Sequence, residues 1–366
     1  MKVFLLILHA ATVASFEIPV QRSSREFGKA AYGMALDMDK GSLSYIGTVS
    51  LGTPLQDFNV AFDFTTPVFW VPDAVSTCGV DVERPASCEN KNLFDRGKSR
   101  TFNSEDVTTN LSFLNLTIKT ELAADSFRFA PHYRAGFNAR KNIKFGLVKQ
   151  FNGQYNHVRY DGVFGLGLGE QNGLTSPIKQ MAEQGAIPAP ILSAYLLESR
   201  PKNDFDGVFT LGAIDEMRCE AVDKFAEILK DGNWAFRSPS FRVPPNNEVE
   251  NGSWTGVLDL KTDFIHMPRP AVTLLDQSLG ANIDDQGQFL VNCGADLSME
   301  FVLGGTNIRF RASELYEDYS GDTCLLKVKA TAPGDRYNFR FGTPILRKHC
   351  VVFDFSGGIA FPKKKN

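Results

Sequence analysis

Histidine is scarce, five in 366 residues and scattered, and no His-rich cluster occurs. A bound metal is therefore not expected, and a Ser-His-Asp arrangement has no support. No Gly-rich phosphate loop and no low-complexity stretch appears, so no nucleotide cofactor is expected either. The formal net charge is only -3, with 39 basic and 42 acidic residues interspersed. That leaves no basic field for nucleic acid. After the first fifteen residues no run is long and apolar enough to span a bilayer.

What is present begins with residues 1–15, where one Lys precedes an apolar run and the small residues Ala14 and Ser15 close the segment. This is the pattern of a secretory signal peptide. It places the mature chain outside the cell, or alternatively in a lysosomal or vacuolar lumen. Residues 16–40 read as a short leader carrying Arg22, Arg25 and Lys29. Its two readings are a solvated leader and the remnant of an inhibitory pro-segment. From residue 41 on, runs rich in Val, Phe, Ile and Leu alternate with Gly, Pro, Asn and Asp, which predicts many short strands, among them 45–51, 58–64, 143–148, 207–211 and 350–361. Helical patterns are confined to 178–184 and 221–230. The thirty Phe suit an aromatic all-β core. Six Cys behind a signal peptide point to three disulfides. Fifteen connectivities are possible; spacing prefers Cys78 with Cys88, Cys293 with Cys324 and Cys219 with Cys350. Asn110, Asn115 and Asn251 open N-glycosylation sequons.

Residues 60–72, VAFDFTTPVFWVP, are echoed far downstream by 256–268, GVLDLKTDFIHMP. In register, Asp63 lies over Asp259, Thr66 over Thr262 and Pro72 over Pro268. An Asp among apolar residues is costly to bury without a partner. Two in matching frames predict a duplicated lobe, residues 41–215 and 216–366, whose carboxylates meet at the seam. His266 takes the place of Trp70 in the echo and is expected to pack at a strand end.

Together these features resemble the pepsin-like (A1) aspartic peptidases. YIGTVSLGTP (45–54) looks like the family's first strand, FWVP (69–72) like the stretch after its first catalytic loop, and DGVFGLG (161–167) like the loop beneath the first active-site strand. FGTPILRKHCVVFD (341–354) is similar to the second-lobe counterpart. LGA (279–281), Cys293 and Cys324 fall where the family keeps a helix end and a disulfide. The resemblance implies an all-β, bilobal fold of two pseudo-twofold-related lobes with a few short helices, a monomer, and a polypeptide ligand in the cleft. It implies no cofactor. In the family two Asp share one proton; one activates water and the other donates to the peptide carbonyl.

The catalytic motif departs from that pattern. Each family Asp is followed by Thr and Gly, but here Phe64 and Thr65 follow Asp63, and Leu260 and Lys261 follow Asp259. Two cross-seam hydroxyl bonds are lost, each worth about 1 kcal/mol, and an apolar Phe64–Leu260 contact is the expected substitute. An ammonium at Lys261 within reach of either Asp would draw the shared proton off the pair. In the flap segment, LSFLNLT (111–117), Phe113 replaces a Tyr and bulkier residues replace a Gly-rich tip. Thr343 stands where many members keep an Asp. The expectation is a peptidase-like glycoprotein without turnover that binds a peptide; the alternative is an acid endopeptidase with an atypical Asp63/Asp259 pair. The final Lys363, Lys364 and Lys365 read as a solvated tail.

Overall fold

The echoed segments become two copies of one topological unit in the computed structural model, which describes residues 16–23, 44–78, 91–113, 116–130, 136–151, 158, 160–197, 206–237, 239–244, 247–249, 253–284 and 287–365. In the first copy, strand Gln56–Asp63 runs parallel to Gly162–Gly165 with Gly165 opposite Asp63, and Gly162–Gly165 pairs antiparallel with Trp70–Cys78. In the second, Thr255–Leu258 runs parallel to Phe339–Phe341 with Leu258 opposite Phe341, and Phe339–Phe341 pairs antiparallel with Ile265–Met267. The next neighbours correspond as well: Trp70–Cys78 lies parallel to Ile143–Phe151, and Ile265–Met267 parallel to Thr323–Ala330. Each Asp thus ends or follows a strand whose partner comes from a distant part of the chain.

Two glycines permit that threading. A Cβ on Gly165 would lie 2.4 Å from the Pro67 carbonyl carbon, and one on Gly342 would lie 2.4 Å from the carbonyl oxygens of Thr262 and Phe264. The backbones touch where a side chain would otherwise stand.

The first unit belongs to a long sheet. Beyond Gln56–Asp63 it continues through Ser44–Leu51, Phe16–Ser23, Gly207–Leu211 and Ile191–Leu196, then Val351–Asp354, Gly358–Ala360 and Ala226–Glu227. The pairing of Ile191–Leu196 with Val351–Asp354 joins the two halves of the sequence. The second unit sits in an eight-stranded sheet, accompanied by a four-stranded sheet that contains Ser240–Val243, Ser298–Leu303 and Thr306–Arg311. The fold is therefore all-β and bilobal. Helices are few and short: α1 (Pro177–Glu183), α2 (Arg269–Leu279) and α3 (Thr343–Lys348). Each carries Pro in its first turn, where the missing N–H costs no helical bond. Ser176 caps α1 and returns its hydroxyl to the Gly165 carbonyl at 2.9 Å, fixing the helix against strand Gly162–Gly165.

Phenylalanine fills the core as expected. Phe62 meets Phe164 and Phe209 edge-on at 5.6 and 5.0 Å, and Phe69, Phe127 and Phe129 close round Phe164. Two of the preferred disulfides form, Cys219–Cys350 and Cys293–Cys324. The preferred Cys78–Cys88 bond and Asn251 lie outside the described residues and side chains.

Two expectations are corrected. The helical pattern at 221–230 is not a helix: Ala226 and Glu227 pair with Ile359 and Gly358, Ile228 bridges Phe236, and Phe225 packs on Gly358. Ladder bonds to the last strand outweigh local helical preference. Phe16–Ser23, in the segment read as a leader, forms a strand between Gly207–Leu211 and Ser44–Leu51. Nor is the basic tail solvated throughout. Cys219 bridges Lys364, Glu220 and Lys365 donate their N–H groups to Lys363 and Arg218 carbonyls, and the half-buried Lys364 ammonium donates to the carbonyls of Leu196 and Arg347.

Candidate active site

The threaded loops bring Asp63 and Asp259 to the same place, with 5% and 8% of their surfaces exposed. The backbone frame around them is nearly symmetric. Thr65 N–H donates to Asp63 Oδ1 at 2.8 Å and Lys261 N–H to Asp259 Oδ1 at 2.9 Å. One step further along, Thr66 Oγ1 accepts from Val68 N–H and Thr262 Oγ1 from Phe264 N–H, both at 3.2 Å. The duplication seen in the sequence thus reaches individual hydrogen bonds.

The side chains break the symmetry. Lys261 reaches across the seam, its Nζ 2.7 Å from Asp63 Oδ2 and donating to Thr65 Oγ1 at 2.9 Å. The carboxylate that it neutralises is the one in the other lobe. On the opposite side, Arg340 Nη1 donates to Asp259 Oδ2 at 3.0 Å, while its Nη2 holds both oxygens of Asp335 at 3.2 and 3.1 Å. Thr65 Oγ1 adds a 2.6 Å bond to Asp63 Oδ1. All four carboxylate oxygens of the pair therefore accept from protein donors, and two of those donors are cations. Burial pushes the Lys261 amine down, but the charge and hydrogen bond of Asp63 and the charge of Asp259 together outweigh it and hold the ammonium above its ordinary range. Arg340 behaves likewise: burial opposes its charge, and Asp259 and Asp335 more than compensate.

Phe64, 2% exposed, stacks at a tilt on Phe353 at 4.4 Å and meets Phe209 edge-on at 6.0 Å. Leu260, 3% exposed, belongs to the same buried cluster. The hydroxyl grip at these positions is thus replaced by apolar packing on the sheet that joins the lobes, with two phenylalanines supplying the contacts to Phe64. Thr343 does not leave that region without acid. Its hydroxyl donates to Asp263, which also receives Arg347 at 2.8 Å and Lys327 at 2.7 Å. His266 stands on strand Ile265–Met267 with Nε2 3.3 Å from Thr262 Oγ1.

Over Asp63, Thr65 and Lys261 lies a cavity of about 230 Å³, walled by Val68, Trp70 and Leu111. Ligand pockets usually run from about 300 to 1,000 Å³, so among the described residues this space suits one side chain or a short chain end. The flap strand Asn103–Phe113 is tied down beside it: Asn172 Nδ2 donates to the Asn110 carbonyl at 3.1 Å. Asn110 itself is exposed. Asn115 and the side chain of Phe113 lie outside the described residues and side chains. Among the described residues no group of three or more His, Cys, Asp or Glu could hold a metal ion, and no helix is long and apolar enough to cross a membrane.

Sequence reasoning missed Arg340 and Asp335. A signal existed, since Arg340 sits between Phe339 and Phe341 in an otherwise apolar strand. That is the same anomaly that drew attention to the two Asp, and a buried charge needs a partner.

Comparison with known proteins agrees with this geometry. Residues 44–359 match the family model described as eukaryotic aspartyl protease. Aspartic protease 6 of Caenorhabditis elegans is 24% identical over 326 residues, covering 86% of this chain and 80% of its own. Embryonic pepsinogen of Gallus gallus is 25% identical, covering 85% and 78%, and pepsin B of Canis lupus familiaris is 25% identical, covering 85% and 79%. With paired carboxylates on duplicated, threaded loops and a family match over most of its length, this chain belongs to the eukaryotic aspartyl protease family, A1.

Proposed function

We propose that this chain is a secreted member of the family that has lost turnover and acts as a binder of a peptide or polypeptide through the cleft between its lobes. The observation that carries the reading is the saturation of the carboxylate pair. Peptide hydrolysis by two Asp needs a water held between them and a proton that one of them can give to the substrate carbonyl. The repulsion of like charges is what keeps that proton on such a pair. Here the ammonium of Lys261 and the guanidinium of Arg340 occupy the outer oxygen of each Asp. The positive charge that a proton would bring is supplied by groups that cannot be handed to a leaving amine and replaced from water.

The small cavity among the described residues supports a ligand that inserts one residue or one chain end, rather than a long extended substrate. Exposure of Asn110 supports its glycosylation beside that cavity. A second reading, an acid endopeptidase with an unusual pair, draws on one observation: both Asp keep their backbone amide donors in equivalent places.

Cleavage of a denatured globular protein by the purified chain, scanned from about pH 2 to pH 7 with and without a statine-type transition-state analogue, separates the two. The expected result is no cleavage together with measurable binding of the analogue. Cleavage abolished both by the analogue and by Asp63→Asn would overturn the proposal. Neither cleavage nor binding would mean a closed cleft and a structural glycoprotein.

A further inference from the structure

A second cavity, about 630 Å³, is lined by second-lobe residues together with Leu197, and shares no lining residue with the one over the carboxylate pair. Its size falls within the usual range for ligand sites. Lys327, Arg347, Lys348 and Lys364 converge on it from three parts of the chain: strand Thr323–Ala330, the last turn of α3, which gives two of them, and the C-terminal stretch. The wall carries one carboxylate, Glu314. Leu197 and Tyr316, both part-exposed, supply an apolar side, backed by the buried Phe310 and Leu315.

The cations are fixed in place before any ligand arrives. Asp263, 6% exposed, holds Lys327 and Arg347 at 2.7 and 2.8 Å, and the exposed Glu317 lies 3.4 Å from Lys327. Lys348 lies 2.5 Å from Glu314 and over the Phe310 ring at 5.5 Å. Lys364 lies over Tyr195 at 4.9 Å and donates to the Leu196 and Arg347 carbonyls. Side chains already held in position lose little freedom on binding. The local field is felt by Glu314: burial pushes its carboxyl up, yet Lys348, the Arg311 N–H and the charge of Arg311 together hold it below its ordinary range.

We propose that this cavity is a binding site for an anionic group, phosphate, sulfate or carboxylate, attached to a small apolar body. The anion would sit among Lys327, Lys348 and Lys364, where charge-assisted hydrogen bonds are short and strong. The apolar body would cover Leu197 and Tyr316. Lys364 thereby acquires a role other than solubility. This site is independent of whether the carboxylate pair turns over peptide.

The test is calorimetric titration of the purified full chain with hexyl phosphate, inorganic phosphate and hexanol. Saturable one-to-one binding of hexyl phosphate is expected, weakened about tenfold by either Lys348→Gln or Lys364→Gln and unchanged by Lys363→Gln, whose side chain is exposed. Near-ultraviolet circular dichroism matching that of the parent shows that each variant is folded, and Lys348→Gln stands alone if Lys364→Gln is not. Saturable binding of inorganic phosphate with the same variant dependence would identify a free anion as sufficient; phosphate binding weaker than that of hexyl phosphate would assign part of the affinity to the apolar wall. Hexanol binding as tightly as hexyl phosphate, equal affinity in the Lys348 variant and the parent, or no saturable binding of any anion would overturn the proposal.

Discussion

The ion pair between Lys261 and Asp63 crosses the seam between the lobes, so its strength is measurable as a coupling between two residues far apart in sequence. Lys261→Met removes the ammonium and leaves Asp63, 5% exposed, with only its Thr65 donors. Stripping a partner from a fully buried pair costs about 3 to 5 kcal/mol. The 36% exposure of the Lys261 side chain and the cavity beside it let water screen the carboxylate, which lowers the expected cost to about 2 kcal/mol. Asp63→Asn leaves a lysine that can turn toward solvent, at about 1 kcal/mol. The double variant is expected at about 1.5 kcal/mol, because it leaves no charge stranded, so the coupling is about 1.5 kcal/mol. Urea unfolding of the four proteins at neutral pH measures it. A coupling below about 0.5 kcal/mol would show that the pair does not form in solution, and the argument for a saturated carboxylate pair would fall with it. The pair also has an alkaline signature. The Lys261 pKa is raised by folding, so its contribution is fully present below the ordinary lysine value of 10.5 and lost as pH rises through the higher folded value. The parent should therefore lose stability above that pH more steeply than Lys261→Met.

Other outcomes follow from single contacts. Gly342→Ala would place a Cβ 2.4 Å from two carbonyl oxygens, and a loss of about 3 kcal/mol or failure to fold is expected in thermal melts. Breaking Cys219–Cys350, which closes a separation of 131 residues, should cost more than breaking Cys293–Cys324 at 31: about 5 against about 3.7 kcal/mol by loop entropy, checked by Cys→Ala pairs in urea. His349 is 5% exposed, and its pKa is lowered by burial, an effect that the Phe361 carbonyl only partly offsets. Its contribution is present above the ordinary histidine value of 6.5 and lost as pH falls, so His349→Gln should flatten the acid limb of a stability profile.

Much of the fold was legible because a duplication marks itself. The matched frames of Asp63 and Asp259, the glycine at Gly165 and the Phe-Gly of Phe341 and Gly342 are demands of close backbone approach, and such demands leave residue-type signatures. Lys261 was legible as a cation placed where a glycine is expected. Its choice of Asp63 over its neighbour Asp259 was not, because that depends on how the second loop faces the first. Arg340 escaped notice because its partner, Asp259, is 81 residues away and only the parallel pairing of Thr255–Leu258 with Phe339–Phe341 brings them together. The segment 221–230 misled for the opposite reason: its helical period is local, while the partner that makes it extended lies at the far end of the chain.

The strand Phe16–Ser23 carries a further consequence. It is flanked on both sides, by five residue pairs with Gly207–Leu211 and three with Ser44–Leu51. A protease that cut the chain between residues 23 and 44 would sever a bond without releasing a fragment. The two pieces would travel as one particle on a native gel and separate only in denaturant. Pulling the short piece out would turn two interior strands into raw edges, open to pairing with other chains. For this molecule, a clipped N-terminus is a scar that stays in place.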